Sequence, residues 1–281
     1  MKPRSLALAL GTALWGVALT GLAGPPAGDK LNVLFLMADD LRPELGCYGA
    51  GHVISPNIDR LAKRGRMFEH AYCQQALCNP SRASMLTGLR PDSLRIWNLP
   101  THLRQRRPDI VTLPQHFRNN GYFTECVGKI FHNWRQDIHG DPQSWSVPQF
   151  MHYARHDDDK PRVEGKPPGN EIKLPRSTIR DVPDEAYFDG RIATRAIESL
   201  RGLKKNRKPF FLAVGFWKPH LPFNAPKRYW NLYDPAKVKL PESLAKPANG
   251  PDIALHDSRE LLRAFGGRKP SPRDIRELRR G

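Results

Sequence analysis

Residues 31–40, LNVLFLMADD, carry the clearest fold signal in the chain: an almost continuous apolar run that stops at two adjacent carboxylates. Such a run is typical of a buried strand in a parallel sheet with helices over both faces. Residues 122–127 and 210–216 are two further runs of this kind. Together the three runs predict an α/β fold with a mostly parallel sheet covered by helices.

Helical patterns lie between the predicted strands. Ser55-Pro56 is a cap followed by proline at the first helical position, and Gly65 stands where that helix would stop. Residues 113–119 predict a short helix. A longer helix over about 184–203 has an apolar stripe at i, i+3, i+4 and i+7 spacing, made by Ala193, Ala196, Ile197, Leu200 and Leu203.

Two long segments of the sequence, 137–182 and 218–252, are rich in proline, glycine and charged residues. No strand or helix pattern extends through either of them. The sequence therefore predicts that both segments are loops.

Polar side chains follow all three predicted strands. They are Asp39 and Asp40 after the first, Lys129 and His132 after the second, and His220 after the third. In open α/β sheets the ligand crevice lies beyond the carboxyl ends of the strands. We therefore expect these side chains to converge at one edge of the sheet.

The adjacent carboxylates of Asp39 and Asp40 can be interpreted in two ways. At a separation of about 4 Å they would repel by about 4 kcal/mol at an effective dielectric constant of about 20, a cost that a divalent cation offsets. Ligands with oxygen donors only favour Ca²⁺ or Mg²⁺ over zinc. Alternatively the two side chains point to opposite sides, with one capping a turn and the other paired to Arg42.

The composition indicates a globular protein with a basic surface. The 281 residues suit one large α/β domain or two smaller ones, and four cysteines are too few for a disulfide framework. The formal net charge of +17 comes from 45 Lys and Arg against 28 Asp and Glu. Such a charge attracts anionic partners, including sulfated or phosphorylated glycans, nucleic acid and anionic membranes. The sequence contains no recognised nucleic-acid-binding motif.

The first 23 residues predict a secretory signal peptide. Lys2 and Arg4 form a basic start, an apolar stretch covers 6–22, and small residues allow cleavage after Ala23. A membrane anchor is the alternative, because the stretch is near the lower limit of spanning length. Cleavage would leave 24–281, lower the net charge to +15, and give a protein that is not held in the membrane. It would be secreted or periplasmic, or lysosomal in a eukaryote.

The segment Cys78-Asn-Pro-Ser-Arg82 lies at a predicted loop-to-helix junction, where backbone amides favour an anion or a thiolate. A phosphatase-type cysteine loop would need arginine six positions after the cysteine, and that position is Ser84. An ordinary thiol nucleophile would lack its usual acidic neighbour. From the residues alone, a buried structural cysteine remains an alternative.

This segment resembles the signature of type I sulfatases, in which the cysteine is converted to formylglycine. The resemblance runs from residue 31 to about residue 223, and it implies the alkaline-phosphatase-like α/β fold. The segments LRPELGCYG, VGKIFH and KPHLPF are most similar to the iduronate-2-sulfatase branch of the family. A sulfuric ester hydrolase acting on sulfated sugars, such as those of glycosaminoglycans, is the activity that follows from this resemblance.

The resemblance also implies roles for individual residues. Asp39 and Asp40 match two calcium ligands, and Cys78, as formylglycine, lies against the same ion. A formylglycine-generating enzyme would make that conversion. The hydrated aldehyde supplies one hydroxyl that attacks sulfur and a second that, once deprotonated, expels the sulfate. The side chains that would assist are Arg82 holding the formylglycine, Lys129 binding sulfate, His132 as base and His220 as proton donor to the leaving alcohol.

The chain departs from the family pattern near its end. The family's remaining calcium ligand, a later sulfate-binding lysine and the C-terminal subdomain have no match in the sequence. Ser271-Pro272 begins a predicted helix that has only about two turns before residue 281. We therefore expect 24–281 to be the N-terminal portion of a sulfatase catalytic domain, with little or no activity alone. The alternatives are another polysaccharide or aryl sulfatase, a phosphonate monoester hydrolase, or a non-catalytic fragment that binds polyanions.

Overall fold

The computed structural model describes residues 30–132, 136–150, 177–206, 208–240, 246, 248–252, 265 and 269–281. The predicted signal peptide lies outside these residues. Asn32–Gly281 is one compact unit. Within the part of the chain that the structure describes, no helix combines the length and the apolar character needed to cross a bilayer.

The strands of the described residues are β1 (Val33–Asp39), β2 (Phe123–Gly128), β3 (Ser177–Arg180), β4 (Phe210–Pro219) and β5 (Phe223–Pro226). The helices are α1 (Pro56–Arg64), α2 (Cys78–Thr87), α3 (Pro91–Leu94), α4 (Leu103–Arg106), α5 (Leu113–Asn119), α6 (Phe188–Asn206), α7 (Lys227–Trp230) and α8 (Pro272–Arg280). Short 3-10 turns cover Gly46–Tyr48, Pro142–Ser144, Asp184–Ala186 and Pro235–Lys237.

The main sheet is parallel and has the order β1-β4-β2. The middle strand, β4, is the last of these three along the chain. The three strands of the sheet are those that the apolar runs predict. Parallel strands need crossover connections, and α2 to α5 lie between β1 and β2 while α6 precedes β4. Because all three strands run the same way, their carboxyl ends meet at one edge. The α/β prediction is confirmed.

Apolar side chains pack on both faces of β4. One cluster joins Leu86 of α2 and the segment after α3 to Phe211 and Ala213 of β4. The other joins Ile192 of α6 to Leu212 and Val214. Alternating residues of β4 therefore enter two separate cores, as the period of two in a strand requires.

Only one face of β1 is covered. Leu34 and Leu36 are 46% and 52% exposed, whereas Val33, Phe35 and Met37 pack against the first cluster. The prediction from the first apolar run that helices cover both faces of this strand is therefore wrong within the described residues. An unbroken apolar run does not distinguish a strand with two buried faces from one with an exposed apolar face.

The helix predictions are confirmed at α1 and α5, whose bounds follow the cap at Ser55 and the pattern over 113–119. The stripe predicted for α6 is displaced. Its buried residues are Phe188, Ile192, Ala196, Ser199 and Leu203, and Ile197 is 49% exposed. The predicted and the observed stripes both have helical spacing, so periodicity alone cannot distinguish between them.

A second sheet lies in the two segments that the sequence analysis predicts as loops. Strands β3 and β5 pair in parallel, from Ser177 opposite Phe223 to Arg180 opposite Pro226. The loop prediction is wrong at these residues. Each strand has only four residues and β5 ends in proline, so each segment is too short for a strand pattern to be recognised in the sequence.

Candidate functional site

The carboxylate of Asp39, at the end of β1, is buried between two cations. Its Oδ1 accepts a hydrogen bond of 2.8 Å from Arg82 Nη2, and its Oδ2 accepts one from Lys129 Nζ. All three side chains are at most 5% exposed. Burial alone would raise the pKa of Asp39, but the charges of Lys129 and Arg82 outweigh it and hold that pKa well below its usual range.

Arg82 links α2 to the end of β2. Its Nη1 donates to the carbonyl oxygens of Lys129 and Ile130, at 2.7 and 2.9 Å. Arg82 and Cys78 are four residues apart on α2, so they share one helix face. The donors of Arg82 therefore fix the backbone that carries Lys129.

Lys129 enters the site because the chain passes very close to β4 there. The Lys129 amide donates to the carbonyl of Gly215 at 2.8 Å. A Cβ atom on Gly215 would lie 1.9 Å from the carbonyl oxygen of Lys129, so only glycine is compatible with this approach. The Lys129 ammonium also lies 4.8 Å from the ring centroid of Trp217, a cation–π contact that the sequence analysis does not identify.

Cys78 is the first residue of α2 and is half-buried. Its sulfur lies in a cluster with a carboxylate oxygen of Asp39 and an imidazole nitrogen of His220, all within 4.8 Å of one another. Burial raises the pKa of the Cys78 thiol to about 11, although Lys129 favours the thiolate. The unmodified side chain is therefore a neutral thiol at physiological pH, which is a poor nucleophile and a poor metal ligand.

His132 is buried, and neither ring nitrogen has a hydrogen-bond partner among the residues that the structure describes. Burial lowers the pKa of His132 to about 3, and the charges of Lys129 and Arg82 act in the same direction. The imidazole is therefore neutral at pH 7. Buried polar atoms without partners are uncommon and suggest a group that is absent from the structure.

His220 and Asp40 meet on the other side of the cluster. His220 Nδ1 lies 2.7 Å from the carbonyl oxygen of Leu221, which fixes the ring. Its Nε2 lies 3.7 Å from Asp40 Oδ2. Asp40 has a φ of 60° and a half-exposed carboxylate, and Arg42 pairs with Glu44 instead. The carboxylates of Asp39 and Asp40 thus have different surroundings, and neither is paired to Arg42.

Two further residues hold the backbone around the site, and no pattern in the sequence identifies them. Asp189, in the first turn of α6, accepts backbone hydrogen bonds from Trp217 and Lys218, at 2.8 and 3.0 Å, just before His220. Asn79, next to Cys78, donates to the carbonyl oxygens of Asn98 and Thr101, each at 2.8 Å. An acidic residue at a helix start suits the dipole in any protein, so its position alone could not identify Asp189.

The seven predicted site residues therefore lie in one region at the carboxyl edge of the main sheet. The donors that could hold a cation are the carboxylates of Asp39 and Asp40, with Cys78 and His220 close by. Carboxylate oxygens are the ligands that Ca²⁺ prefers, and an oxygen in place of the Cys78 sulfur would fit the same set. A protonated thiol and one imidazole fit zinc poorly.

Comparison with known proteins places this arrangement in a family. A profile described as Sulfatase matches residues 31–249, which include every residue of the site. The chain belongs to the sulfatase family. Iduronate 2-sulfatase of Mus musculus is 37% identical over 284 residues, covering 97% of this chain and 51% of that protein. Iduronate 2-sulfatase of Homo sapiens is 40% identical over 233 residues, covering 81% and 42%.

The fold also matches solved structures of this kind. A phosphonate monoester hydrolase of Silicibacter pomeroyi superposes with a TM-score of 0.64 at 23% identity, covering 89% of this chain and 55% of that one. At that identity the likeness shows the alkaline-phosphatase-like fold alone, as the sequence predicts. The chain spans about half the length of the sulfatases it matches.

Proposed function

We propose that this chain carries the nucleophile and part of the sulfate site of a sulfatase that removes sulfate from sulfated sugars. The observation that carries the proposal is the neutral Cys78 thiol beside the buried group of Asp39, Lys129 and Arg82. A thiol with a raised pKa is ill suited to attack, whereas the positive side chains beside it suit an anionic ester. Conversion of Cys78 to formylglycine resolves this mismatch.

Formylglycine, when present, supplies a hydrated aldehyde whose hydroxyl is the nucleophile toward sulfur. Lys129 places its ammonium beside Cys78 and binds the sulfate oxygens. Arg82 acts mainly by holding the Lys129 backbone and the Asp39 carboxylate. His132 is neutral, and it accepts a proton once a sulfate group beside Lys129 offsets the positive charges that lower its pKa. His220, held by its contact with Leu221, gives a proton to the leaving alcohol.

Asp39, Asp40 and the modified Cys78 are the residues that would hold Ca²⁺. Calcium takes about 6 to 8 oxygen ligands, so these residues form only part of a shell. When bound, the ion would stabilise negative charge on the sulfate oxygens. Asp39 would bind the ion while keeping its hydrogen bonds from Lys129 and Arg82, because a carboxylate has about four lone-pair positions.

The proposed substrate class comes from the relatives and from charge. Both iduronate 2-sulfatases match most of this chain, which favours a 2-sulfated uronic acid in a glycosaminoglycan. The net charge of +17 suits a polyanionic substrate. The N-terminal signal pattern favours a secreted or periplasmic enzyme, or a lysosomal one in a eukaryote, that meets a formylglycine-generating enzyme on its route.

The test is mass spectrometry of the tryptic Cys78 peptide after co-expression with a formylglycine-generating enzyme. We expect aldehyde in place of thiol at Cys78 and unmodified thiols at Cys47, Cys73 and Cys126. A Pro80→Ala variant should lower the conversion, whereas Ala83→Gly, in the same helix but outside the signature, should leave it unchanged. Thiol throughout, under conditions that convert a control sulfatase, would overturn the proposal.

Turnover then separates the enzymatic alternatives. Converted protein is assayed with Ca²⁺ on an aryl sulfate, a 2-sulfated uronic acid disaccharide and a phosphonate diester, with Cys78→Ala as the blank and Cys73→Ala as the matched control. Faster turnover of the phosphonate diester would favour the phosphonate hydrolase. Because residues 24–281 are expected to have little or no activity alone, absence of turnover does not decide between the candidates, whereas binding that is steeply salt-dependent and unselective among sulfated glycans would favour a non-catalytic polyanion binder.

A further inference from the structure

A cavity with a volume of about 430 Å³ lies between α3 and α4, and it shares no residue with the Cys78 site. The cavity is lined by residues of α3 and α4 and by the residue that follows each of these helices. The lining residues are Asp92, Ser93, Arg95, Arg106 and Arg107. We call this cavity the arginine pocket. Its volume is within the range of about 300–1,000 Å³ seen for small-ligand sites.

The arginine pocket has an excess of positive charge. Three guanidinium groups face one carboxylate, and Asp92 Oδ1 already accepts a hydrogen bond of 2.6 Å from the indole of Trp97. Arg107 donates to the carbonyl of Ser93 at 3.3 Å, which leaves most of its donors available. Within the described part of the chain, none of the three arginines forms an ion pair.

The backbone under the arginine pocket is rigid. Arg95 has a φ of 56°, in the left-handed region that a non-glycine residue adopts only at a cost. Its neighbours Leu94 and Ile96 are fully buried and hold it there. On the other side, Arg104 of α4 binds Asp141 through two hydrogen bonds of 2.8 and 2.9 Å. The backbone positions that carry the three arginines are therefore fixed.

The pocket and Cys78 are connected through one segment. Residues 96–102 join the two walls of the arginine pocket, and the carbonyl oxygens of Asn98 and Thr101 accept hydrogen bonds from Asn79. Asn79 directly follows Cys78. The arginine pocket is therefore joined to the start of α2 by one short segment of the chain.

We propose that the arginine pocket binds a sulfate or carboxylate group of a polyanionic sugar chain, at a site separate from the reacting ester. The ligand class rests on the proposed function, which gives the protein a sulfated glycan as substrate. Guanidinium groups bind such oxyanions through paired N–H donors, and three of them from two directions can surround one group.

The test is isothermal titration calorimetry of the unmodified protein at about 150 mM NaCl with a sulfated hexasaccharide from heparin. The triple variant Arg95→Gln, Arg106→Gln, Arg107→Gln should weaken binding by at least about 30-fold, because it removes several charge-assisted hydrogen bonds. The matched control, Arg60→Gln, Lys63→Gln, Arg64→Gln on exposed α1, removes the same charge. It should weaken binding by less than about threefold, since charges outside the site act only through a screened field.

Equal weakening by the two triple variants would overturn the proposal, because binding would then depend on net charge alone. Inorganic sulfate or a DNA oligonucleotide of equal charge that bound as tightly as the hexasaccharide, with the same variant dependence, would overturn the sugar ligand. The single variant Arg106→Gln repeats the comparison if the triple variant fails to fold. Because the titration needs neither formylglycine nor turnover, it fails independently of the proposed activity.

Discussion

Acidification should destabilise this fold through His132. Burial, together with Lys129 and Arg82, lowers the pKa of His132 from 6.5 to about 3. In the unfolded chain the imidazole takes up a proton below about pH 6.5, and in the folded chain it does not. The unfolded state therefore binds more protons in this range, and stability falls as the pH drops from about 6.5 toward 3.

The size of this effect follows from the pKa difference. Each pH unit between the two pKa values removes about 1.4 kcal/mol, so lowering the pH from 7 to 5 removes about 2 kcal/mol from the free energy of unfolding. A His132→Phe variant keeps an aromatic ring but has no titrating group, so it should lose about 2 kcal/mol less over the same interval. His102, whose pKa burial also lowers, contributes equally to both proteins and cancels in the difference.

The assay is urea denaturation of both proteins at pH 7 and pH 5, in the presence of a chelator, with the slope of each transition compared. The pH-dependent losses of the two proteins would agree within about 0.5 kcal/mol if the reasoning about His132 were wrong. A second arm adds inorganic sulfate. An anion beside Lys129 offsets the positive field on His132, so the loss in the wild type should become smaller.

Three further predictions concern the framework of the site. Gly215→Ala should cost at least about 3 kcal/mol in urea denaturation, because a Cβ would meet the Lys129 carbonyl, whereas Gly202→Ala, in open space on α6, should stabilise by about 0.5–1 kcal/mol. Arg104→Met should cost about 3–5 kcal/mol by stranding the buried Asp141 carboxylate, and adding Asp141→Leu should recover part of that loss in a double-mutant cycle. Asp189→Asn should cost about 1–3 kcal/mol, since an amide has one acceptor for the two N–H groups that the carboxylate binds.

Much of the framework is predictable from local sequence, because its elements carry their own start and stop signals. Ser55-Pro56 and Gly65 bound α1, and the capping box of Ser271 and Asp274 begins α8. The three apolar runs become the three strands of the main sheet. The gathering of polar residues at the carboxyl edge follows from parallel topology alone.

The sequence could not predict features that depend on distant contacts. Strands β3 and β5 form because they pair with each other, and four residues are too few for either to be recognised as a strand from its sequence. The separate surroundings of Asp39 and Asp40 depend on the positive φ of Asp40 and on cations supplied from α2 and β2. The role of Asp189 depends on where α6 packs against β4. In each case the deciding partner lies tens of residues away.

Asp39 makes the site and the fold interdependent. Its single carboxylate joins β1, the end of β2 through Lys129, and α2 through Arg82. Removing it would leave two buried cations without a counter-charge, a change that costs several kcal/mol in other proteins. Replacing Asp39, Lys129 or Arg82 should therefore disturb the sheet edge as well as the site. An anion entering the site adds negative charge beside Lys129 and Arg82, so it stabilises the same three elements that Asp39 holds together, and binding and folding should strengthen each other.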